Sequence, residues 1–464
     1  MERKWWTLVA VAAGIFMLLL DVTIVNVALP DIERSLDASL ADLQWVIDAY
    51  ALTLAALLLT AGSLADRFGR RLLFAIGIVI FTLGSLLCGL ASSATFLALA
   101  RAGQGVGGAI MFATGLALLS NAFEGRERGT AFGVFGAVTG VAVAVGPVVG
   151  GALTSGLSWR WIFLVNIPVG IAALAVTLRE VEESRDPAAR PPDWIGLVTF
   201  SAGLGALVYG LIRSTEESWG STTVAGSLAA AAVLLVAFVI AEMRQRAPML
   251  DLSLMRKPTF VGGLIAAFAI SASLFSAFPY LVLYLQAGLG LSAIEIGVRF
   301  LVLSVPIFFT AAIAGRLSER VPPRLLIGPG FALVGVSLLL MRGIEPGMDW
   351  THLIPGFIVA GVGAGLVNVP LASTAVGVVE PARAGMASGI NSTLRQVGIA
   401  TGVAALGAIF ASHASETARG PAALGGLVDG LNAILLVGGV LALAAAVSSL
   451  ALIRRRDFVR TSPT

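Results

Sequence analysis

Charge is scarce in this 464-residue chain: Asp, Glu, Lys and Arg together make up 12% of it, against about 25% in soluble domains. No hydrophilic segment exceeds about fifteen residues, too little to clothe a soluble domain. A single cysteine, Cys88, excludes a disulfide framework, and two histidines, His352 and His413, exclude a His-rich metal centre. Cys88 lies in an apolar run and reads as a small buried side chain. No Gly-x-x-x-x-Gly-Lys-Ser/Thr phosphate loop occurs, so primary ATP-driven pumping by this chain is excluded. The net charge is only +3 and the basic residues are scattered, which argues against a nucleic-acid groove.

What the chain has instead is apolar mass: 57% hydrophobic residues and a mean hydropathy of +0.93. Runs near membrane-spanning length recur throughout. They fall at 7–29, 45–65, 72–91, 95–119, 131–155, 159–178, 194–213, 222–241, 259–285, 294–315, 325–342, 351–376, 389–411 and 430–453. The expected fold is an all-α polytopic membrane protein with fourteen transmembrane helices, the first run being a retained helix and not a cleaved signal. With the amino terminus inside, 22 of the 30 Lys and Arg fall on the cytoplasmic side, five outside (Arg34, Arg160, Arg213, Arg342, Arg419) and three within spans. The positive-inside rule then places both termini in the cytoplasm.

The first six and last six runs resemble each other at an offset near 256. Gln104-Gly-Val-Gly-Gly108 aligns with Ala360-Gly-Val-Gly-Ala364, Glu124–Ala131 with Glu380–Ala387, and Gly62-Ser-Leu-Ala-Asp66-Arg67 with Gly315-Arg-Leu-Ser-Glu319-Arg320. This predicts a six-helix bundle over 1–178, an inserted two-helix hairpin with its linkers over 179–258, and a second bundle with its tail over 259–464. The halves differ in chemistry. Asp21 and Arg101 lie in the first, whereas Arg101 corresponds to Phe357 in the second. The second offers aromatics (Phe268, Phe275, Phe278, Tyr280, Tyr284, Phe308, Phe309) and polar amides (Asn368, Asn391, Gln396). Proton chemistry in one half and shape-tolerant binding in the other is the expected division.

Several motifs together resemble a known family. Gly62-Ser-Leu-Ala-Asp66-Arg67-Phe-Gly69-Arg70-Arg71 is similar to the loop signature of the major facilitator superfamily. Leu99-Ala-Arg101-Ala-Gly-Gln104-Gly105 resembles its fourth-helix arginine motif, and the stretch with Gly146-Pro147-Val-Val-Gly150-Gly151 resembles the fifth-helix motif of its antiporters. Leu20-Asp21-Val-Thr-Ile-Val-Asn26-Val-Ala-Leu-Pro30 and Trp159-Arg-Trp-Ile-Phe-Leu-Val-Asn166-Ile-Pro168 are similar to sequences of the fourteen-helix drug/proton antiporter branch. The resemblance implies a secondary active transporter, not an enzyme, with the proton as coupling ion and no bound cofactor or metal. Members of this branch that export divalent cations carry further acids in the tenth span; here Glu295 stands alone, at its mouth or in a loop.

A carboxylate inside a span costs about 2.5–3.5 kcal/mol on insertion scales, so Asp21 needs a reason. It is either a proton and cation site or a helix-packing salt bridge, and the first is the default. At about 1.5 Å rise per residue, Asp21 lies roughly 12 Å below Leu29 and Arg101 roughly 8 Å below Phe96, so the two can meet in the outer half of the first bundle. Arg101, Gln104, Gly105 and Gly108 share one helix face, and Arg101 alternatively pairs with a helix-end carbonyl. Asp48 is either an entrance acid for cations or an interfacial residue beside Trp45 and Tyr50. In the 62–71 turn, Gly62 is expected to permit close helix approach and Asp66 to satisfy free amides at a helix start. With Arg67, Gly69 and Arg70 they form a conformational latch, a topology determinant, or both. Gly146, Pro147, Gly150 and Gly151 make a bendable, closely packed fifth span.

Together with Asn26 and Gln104, the aromatics Phe275, Phe278, Tyr280, Tyr284 and Phe308 and the amides Asn368, Asn391 and Gln396 are the candidate substrate cavity. The expected activity is proton-coupled export of amphipathic, cationic compounds by a monomer in the plasma-membrane bilayer. The alternatives are a same-fold transporter for one metabolite or self-made antibiotic, and a receptor or scaffold. The last would need a large soluble appendage or signalling loop, which the sequence lacks.

Overall fold

The structure is a computed structural model that describes residues 2–123, 125–185, 191–245, 248–318, 320–379, 384–413 and 421–458. Glu124, Glu319, Glu380 and Arg419, used above for the repeat and for orientation, lie outside the described residues. Among the described residues the chain is helical throughout. The helices are α1 (Arg3–Leu36), α2 (Leu40–Phe68), α3 (Arg70–Gly89), α4 (Ala94–Ala122), α5 (Gly125–Gly156), α6 (Trp161–Leu164), α7 (Asn166–Glu180), α8 (Trp194–Arg213) and α9 (Thr222–Arg244). They continue with α10 (Pro258–Ser273), α11 (Phe278–Leu283), α12 (Ala293–Leu317), α13 (Arg324–Leu340), α14 (Ile354–Gly377), α15 (Ala384–Ala411) and α16 (Pro421–Leu452). Among the described residues thirteen helical segments are long and apolar enough to cross a membrane, and the shorter apolar α13 is the fourteenth helix of the set.

Helix starts follow ordinary capping chemistry. Ser39 and Asp42 form a reciprocal capping box at α2, and Ser93, Asp193 and Ser221 accept amide hydrogen bonds at the starts of α4, α8 and α9. Two expected spans are interrupted. The 159–178 span divides at Val165 into α6 and α7. Pro168 has no N–H to donate to the Leu164 carbonyl, which permits the break. The 259–285 span divides into α10, a 3₁₀ turn at Phe275–Ala277, α11, and a π turn at Tyr284–Gly288. Pro279 likewise removes the bond to the Phe275 carbonyl. Helix α1 exceeds its expected span at both ends.

The described chain forms two compact units, Met1–Met249 with Ser292–Val298, and Leu250–Leu291 with Arg299–Thr464. Within each, packing pairs recur: α1 on α5, α3 on α4 and α1 on α7 in the first, and α10 on α15, α13 on α14 and α10 on α16 in the second. The hairpin α8–α9 groups with the first unit, where α8 packs on α2 and Tyr209 meets Trp45 with ring centroids 6.3 Å apart. Leu18, Tyr50, Phe74, Phe81 and Met111 join one buried core. The opposite face of α3 presents Leu72, Ile76, Val79, Leu83 and Leu86 outward. An exposed apolar stripe at helical spacing is costly in water and natural against lipid.

Candidate functional site

The structure brings Asp21 and Arg101 into a buried ion pair, Arg101 Nη1 to Asp21 Oδ2, with side-chain exposures of 0% and 2%. Each supporting contact comes from a different helix. On α4, Gln104 stands one turn beyond Arg101, so its Oε1 accepts from Arg101 Nη1 at 2.6 Å and its Nε2 donates to Asp21 Oδ1 at 2.9 Å. The first residue of α7, Asn166, donates to the same Asp21 oxygen at 3.3 Å. Ser85 of α3 accepts from Gln104 Nε2 at 2.7 Å and from Asn166 Nδ2 at 3.2 Å. From α2, the Val46 carbonyl accepts Arg101 Nε at 3.2 Å, and the Tyr50 ring lies 4.2 Å beneath the guanidinium. Asp21 thus receives three donors, and Arg101 meets one carboxylate, one amide oxygen, one carbonyl and an aromatic face. A buried pair so completely satisfied is the arrangement in which attraction can offset desolvation.

Small residues make the approach possible. A methyl at Gly105 would strike the Tyr50 carbonyl oxygen at 2.6 Å and the Thr53 hydroxyl, so α4 can lie this close to α2 only with glycine there. Gly146 and Gly150 of α5 meet Thr23 and Ile24 of α1 in the same manner, which packs the helix carrying Asp21 against the helix with Pro147. Cys88 is buried with its Sγ 3.7 Å from Gln104 Oε1, at the edge of this network.

Asp48 belongs elsewhere. It is 0% exposed, eight residues into α2, and both carboxyl oxygens lack a hydrogen-bond partner among the described residues. Helix α2 begins five residues earlier than the expected span, at Leu40, which places Asp48 about 12 Å along the helix. Val46 and Tyr50 face Arg101; Asp48, two residues from each, projects from the opposite side of α2. Asn26 also stays out of the cluster, donating to its own helix at the Val22 carbonyl, 3.3 Å away.

The turn between α2 and α3 is held differently from the expectation. Gly62 makes no close approach, since a methyl there would meet nothing within 4 Å. Asp66 caps no helix; it lies in the last turns of α2 and pairs with Arg70 at 2.8 Å. The amides at the start of α3 are satisfied by Glu183, whose carboxylate accepts from Arg71 N at 3.0 Å and Leu72 N at 3.1 Å. Gly69, at φ +128°, leaves room for that carboxylate, which a Cβ would meet at 2.7 Å. Arg71 Nη2 reaches the Leu178 carbonyl at 2.6 Å, and Arg67 is 5.7 Å from the Phe68 ring centroid.

In the second unit, Phe275, Phe278, Phe300 and Phe357 form a chain of ring contacts at 5.5, 5.7 and 5.5 Å. Two expected cavity residues are packing residues instead. Tyr280, 1% exposed, donates from its hydroxyl to the Val403 carbonyl at 2.6 Å and lies tilted against the Phe410 ring, centroids 5.2 Å apart. Tyr284 is 2% exposed and packs against Gly288. Phe308 is exposed and touches Phe309. Asn368 accepts from Arg395 at 2.8 Å, Asn391 is buried and Gln396 half-buried. Glu295 sits in the first turn of α12, where it accepts from the Ser292 amide at 2.9 Å. Among the described residues no group of three His, Cys, Asp or Glu could hold a metal ion.

Asn166, Ser85 and Glu183 were not singled out as site residues by the sequence. Asn166 carried a signal, since it stands in the Trp159–Pro168 motif. Ser85 and Glu183 carried none, being ordinary residues in an apolar run and a polar linker.

With the geometry in place, comparison with known proteins is direct. The Major Facilitator Superfamily model matches residues 11–403 and 263–464. Multidrug resistance protein Stp of Mycobacterium tuberculosis (strain CDC 1551 / Oshkosh) is 38% identical over 415 residues, 89% of this chain and 76% of that protein. Puromycin resistance protein pur8 of Streptomyces alboniger is 38% identical over 96% of this chain and 90% of its own. The tetracenomycin C resistance and export protein of Streptomyces glaucescens is 35% identical over 89% and 77%. A bacterial homolog of the human lysosomal transporter Spinster, solved in an inward-facing and occupied conformation, shares the fold with a TM-score of 0.67 at 16% identity, covering 100% of both chains. The chain belongs to the Major Facilitator Superfamily, as a multi-pass membrane transporter of its family of drug- and antibiotic-efflux proteins.

Proposed function

We propose that the protein exports amphipathic organic compounds, cations among them, in exchange for protons. It acts by alternating access, as a monomer in the plasma membrane with both termini cytoplasmic. One observation carries the reading: the first unit buries two carboxyl groups in spans, Asp21 fully partnered and Asp48 without a hydrogen-bond partner among the described residues. Insertion of either costs about 2.5–3.5 kcal/mol, which a purely structural role does not require. Three neighbouring donors surround Asp21. Asp48 has no such support, and an unpartnered buried carboxylate is the expensive form. We assign Asp48 to carry a proton while enclosed and release it when α2 becomes accessible to water. We assign Asp21 to exchange its Arg101 contact for a substrate cation or a proton during the cycle. The names of the relatives support drug and antibiotic substrates: multidrug, puromycin and tetracenomycin C resistance.

In this scheme Asp66, Arg70, Gly69 and Glu183 form the latch that holds α2 and α3 at the cytoplasmic end, with Arg67 beside them. The glycines facing α1 let α5 slide and bend about Pro147. A second reading keeps the fold and confines transport to one compound, as the names of two relatives, for puromycin and for tetracenomycin C, suggest of those proteins. A susceptibility panel in a drug-sensitive host, comparing wild type with Asp21→Asn, separates the two. Broad protection lost in the variant supports multidrug export, and protection against a single compound supports the second reading. Protection that survives Asp21→Asn contradicts the coupling role.

A further inference from the structure

The second unit holds a charge that the scheme above leaves unused. Arg395 lies in α15, eleven residues from the start at Ala384 and sixteen from the end at Ala411. That is about 16 and 24 Å from the ends, well inside the apolar layer. Its guanidinium has five N–H donors. The structure shows one of them in use, Nη2 to Asn368 Oδ1 at 2.8 Å, and no carboxylate lies within ion-pair distance among the described residues. Arg101, the intramembrane arginine of the first unit, has a carboxylate, an amide, a carbonyl and a ring. An intramembrane arginine without a counter-charge is costly, and such residues characteristically mark a ligand path.

The surroundings are polar and inward. None of the described residues from Met386 to Phe410 is exposed, so Arg395 does not face lipid. Asn391, one turn earlier and on the same face, is 5% exposed, and its Nδ2 has no acceptor among the described residues. Two sets of N–H donors therefore sit together, the charged one with a single amide acceptor and the Asn391 amide with none among the described residues. The half-buried Arg395 side chain remains partly accessible. The complementary group is an anion with two or more oxygens, for which a guanidinium fork is suited.

We infer that Arg395 and Asn391 form a recognition point for the acidic group of an amphipathic substrate, a carboxylate or sulfonate. The transporter then accepts zwitterionic and acidic amphiphiles as well as cations. This rests on the export reading above and adds a substrate class to it. Asn368 is the positioning residue that holds the guanidinium when no substrate is bound.

A matched pair of dyes tests it. Rhodamine 110 carries a free carboxylate, and rhodamine 123 is its methyl ester; binding of each to the purified full-length protein in lipid nanodiscs is read by fluorescence polarisation. Arg395→Gln should weaken rhodamine 110 roughly tenfold or more, as expected for loss of a charge-assisted bond, and leave rhodamine 123 within about twofold, below the tenfold that 1.4 kcal/mol would produce. Asn368→Asp places a counter-charge beside Arg395 and should reproduce that selective loss without removing the arginine, so the test does not depend on one variant folding. Equal weakening of both dyes by both variants, or no effect on either, overturns the inference. Binding of rhodamine 123 but not rhodamine 110 by wild type overturns it and leaves the export reading standing. Binding of neither dye overturns the inference together with the broad-export reading.

Discussion

Arg101 and Asp21, eighty positions apart in sequence, form a fully buried ion pair bridged on one side by Gln104. The same glutamine binds both members and the Ser85 hydroxyl, so the pair cannot be altered without disturbing the packing of α1, α3 and α4. Removing one partner of a buried pair costs about 3–5 kcal/mol, because it leaves the other charge uncompensated. Arg101→Ala and Asp21→Asn should therefore each lower thermal stability in detergent, since each leaves a buried charge without its partner. Unchanged stability in both variants would show that the network does not stabilise the unit through charge pairing.

Two glycines, Gly62 and Gly105, differ in what surrounds them. Gly105→Ala should disrupt the α2–α4 contact, because its methyl meets the Tyr50 carbonyl oxygen at 2.6 Å. Gly62→Ala meets nothing and should be tolerated or slightly stabilising, by up to about 1 kcal/mol from helix propensity. Unfolding midpoints of the two purified variants check this, and a destabilised Gly62→Ala would contradict the packing described.

Glu183 and Gly69 act as one unit at the latch. Glu183→Ala removes the acceptor for two α3 amides and should slow transport while leaving equilibrium dye binding within about twofold, less than the tenfold of 1.4 kcal/mol. Gly69→Ala forces a methyl onto the Glu183 carboxylate at a left-handed φ, with a cost of order 1–3 kcal/mol. Combining the two should relieve the steric part, so their effects on stability should be less than additive. Strict additivity would separate the two residues.

Asp48 is enclosed and without a hydrogen-bond partner among the described residues, which favours the proton-carrying role proposed above over an entrance role. Asp48→Asn should reduce export of neutral and cationic compounds equally and flatten the pH dependence of transport. A selective loss of cation export would restore the entrance role.

The helices and the Asp21–Arg101 pair were legible because charge inside an apolar run is rare enough to stand out. The remainder of the site was not, for physical reasons. Ser85 and Asn166 are uncharged, so neither disturbs hydropathy, and their roles arise from where α3 and the α6–α7 break place them. Glu183 sits among charged residues of a linker, and only the φ of Gly69 reveals the space it fills. An aromatic in a span gives no sign in the sequence of which way it faces; the Tyr280 hydroxyl donates to the Val403 carbonyl. The breaks at Val165 and around Pro279 followed from prolines whose effect a hydropathy window averages away.

Proton exchange is the central claim, and substrate-linked proton movement measures it most directly. Purified protein in weakly buffered solution is mixed with ethidium, and the pH is followed. Wild type should release protons as the cation binds, and Asp21→Asn should bind ethidium weakly and release fewer. In proteoliposomes, an imposed proton gradient alone should then drive ethidium against its own gradient, and a protonophore should abolish that movement. Proton uptake on ethidium binding, or release undiminished in Asp21→Asn, would contradict the account.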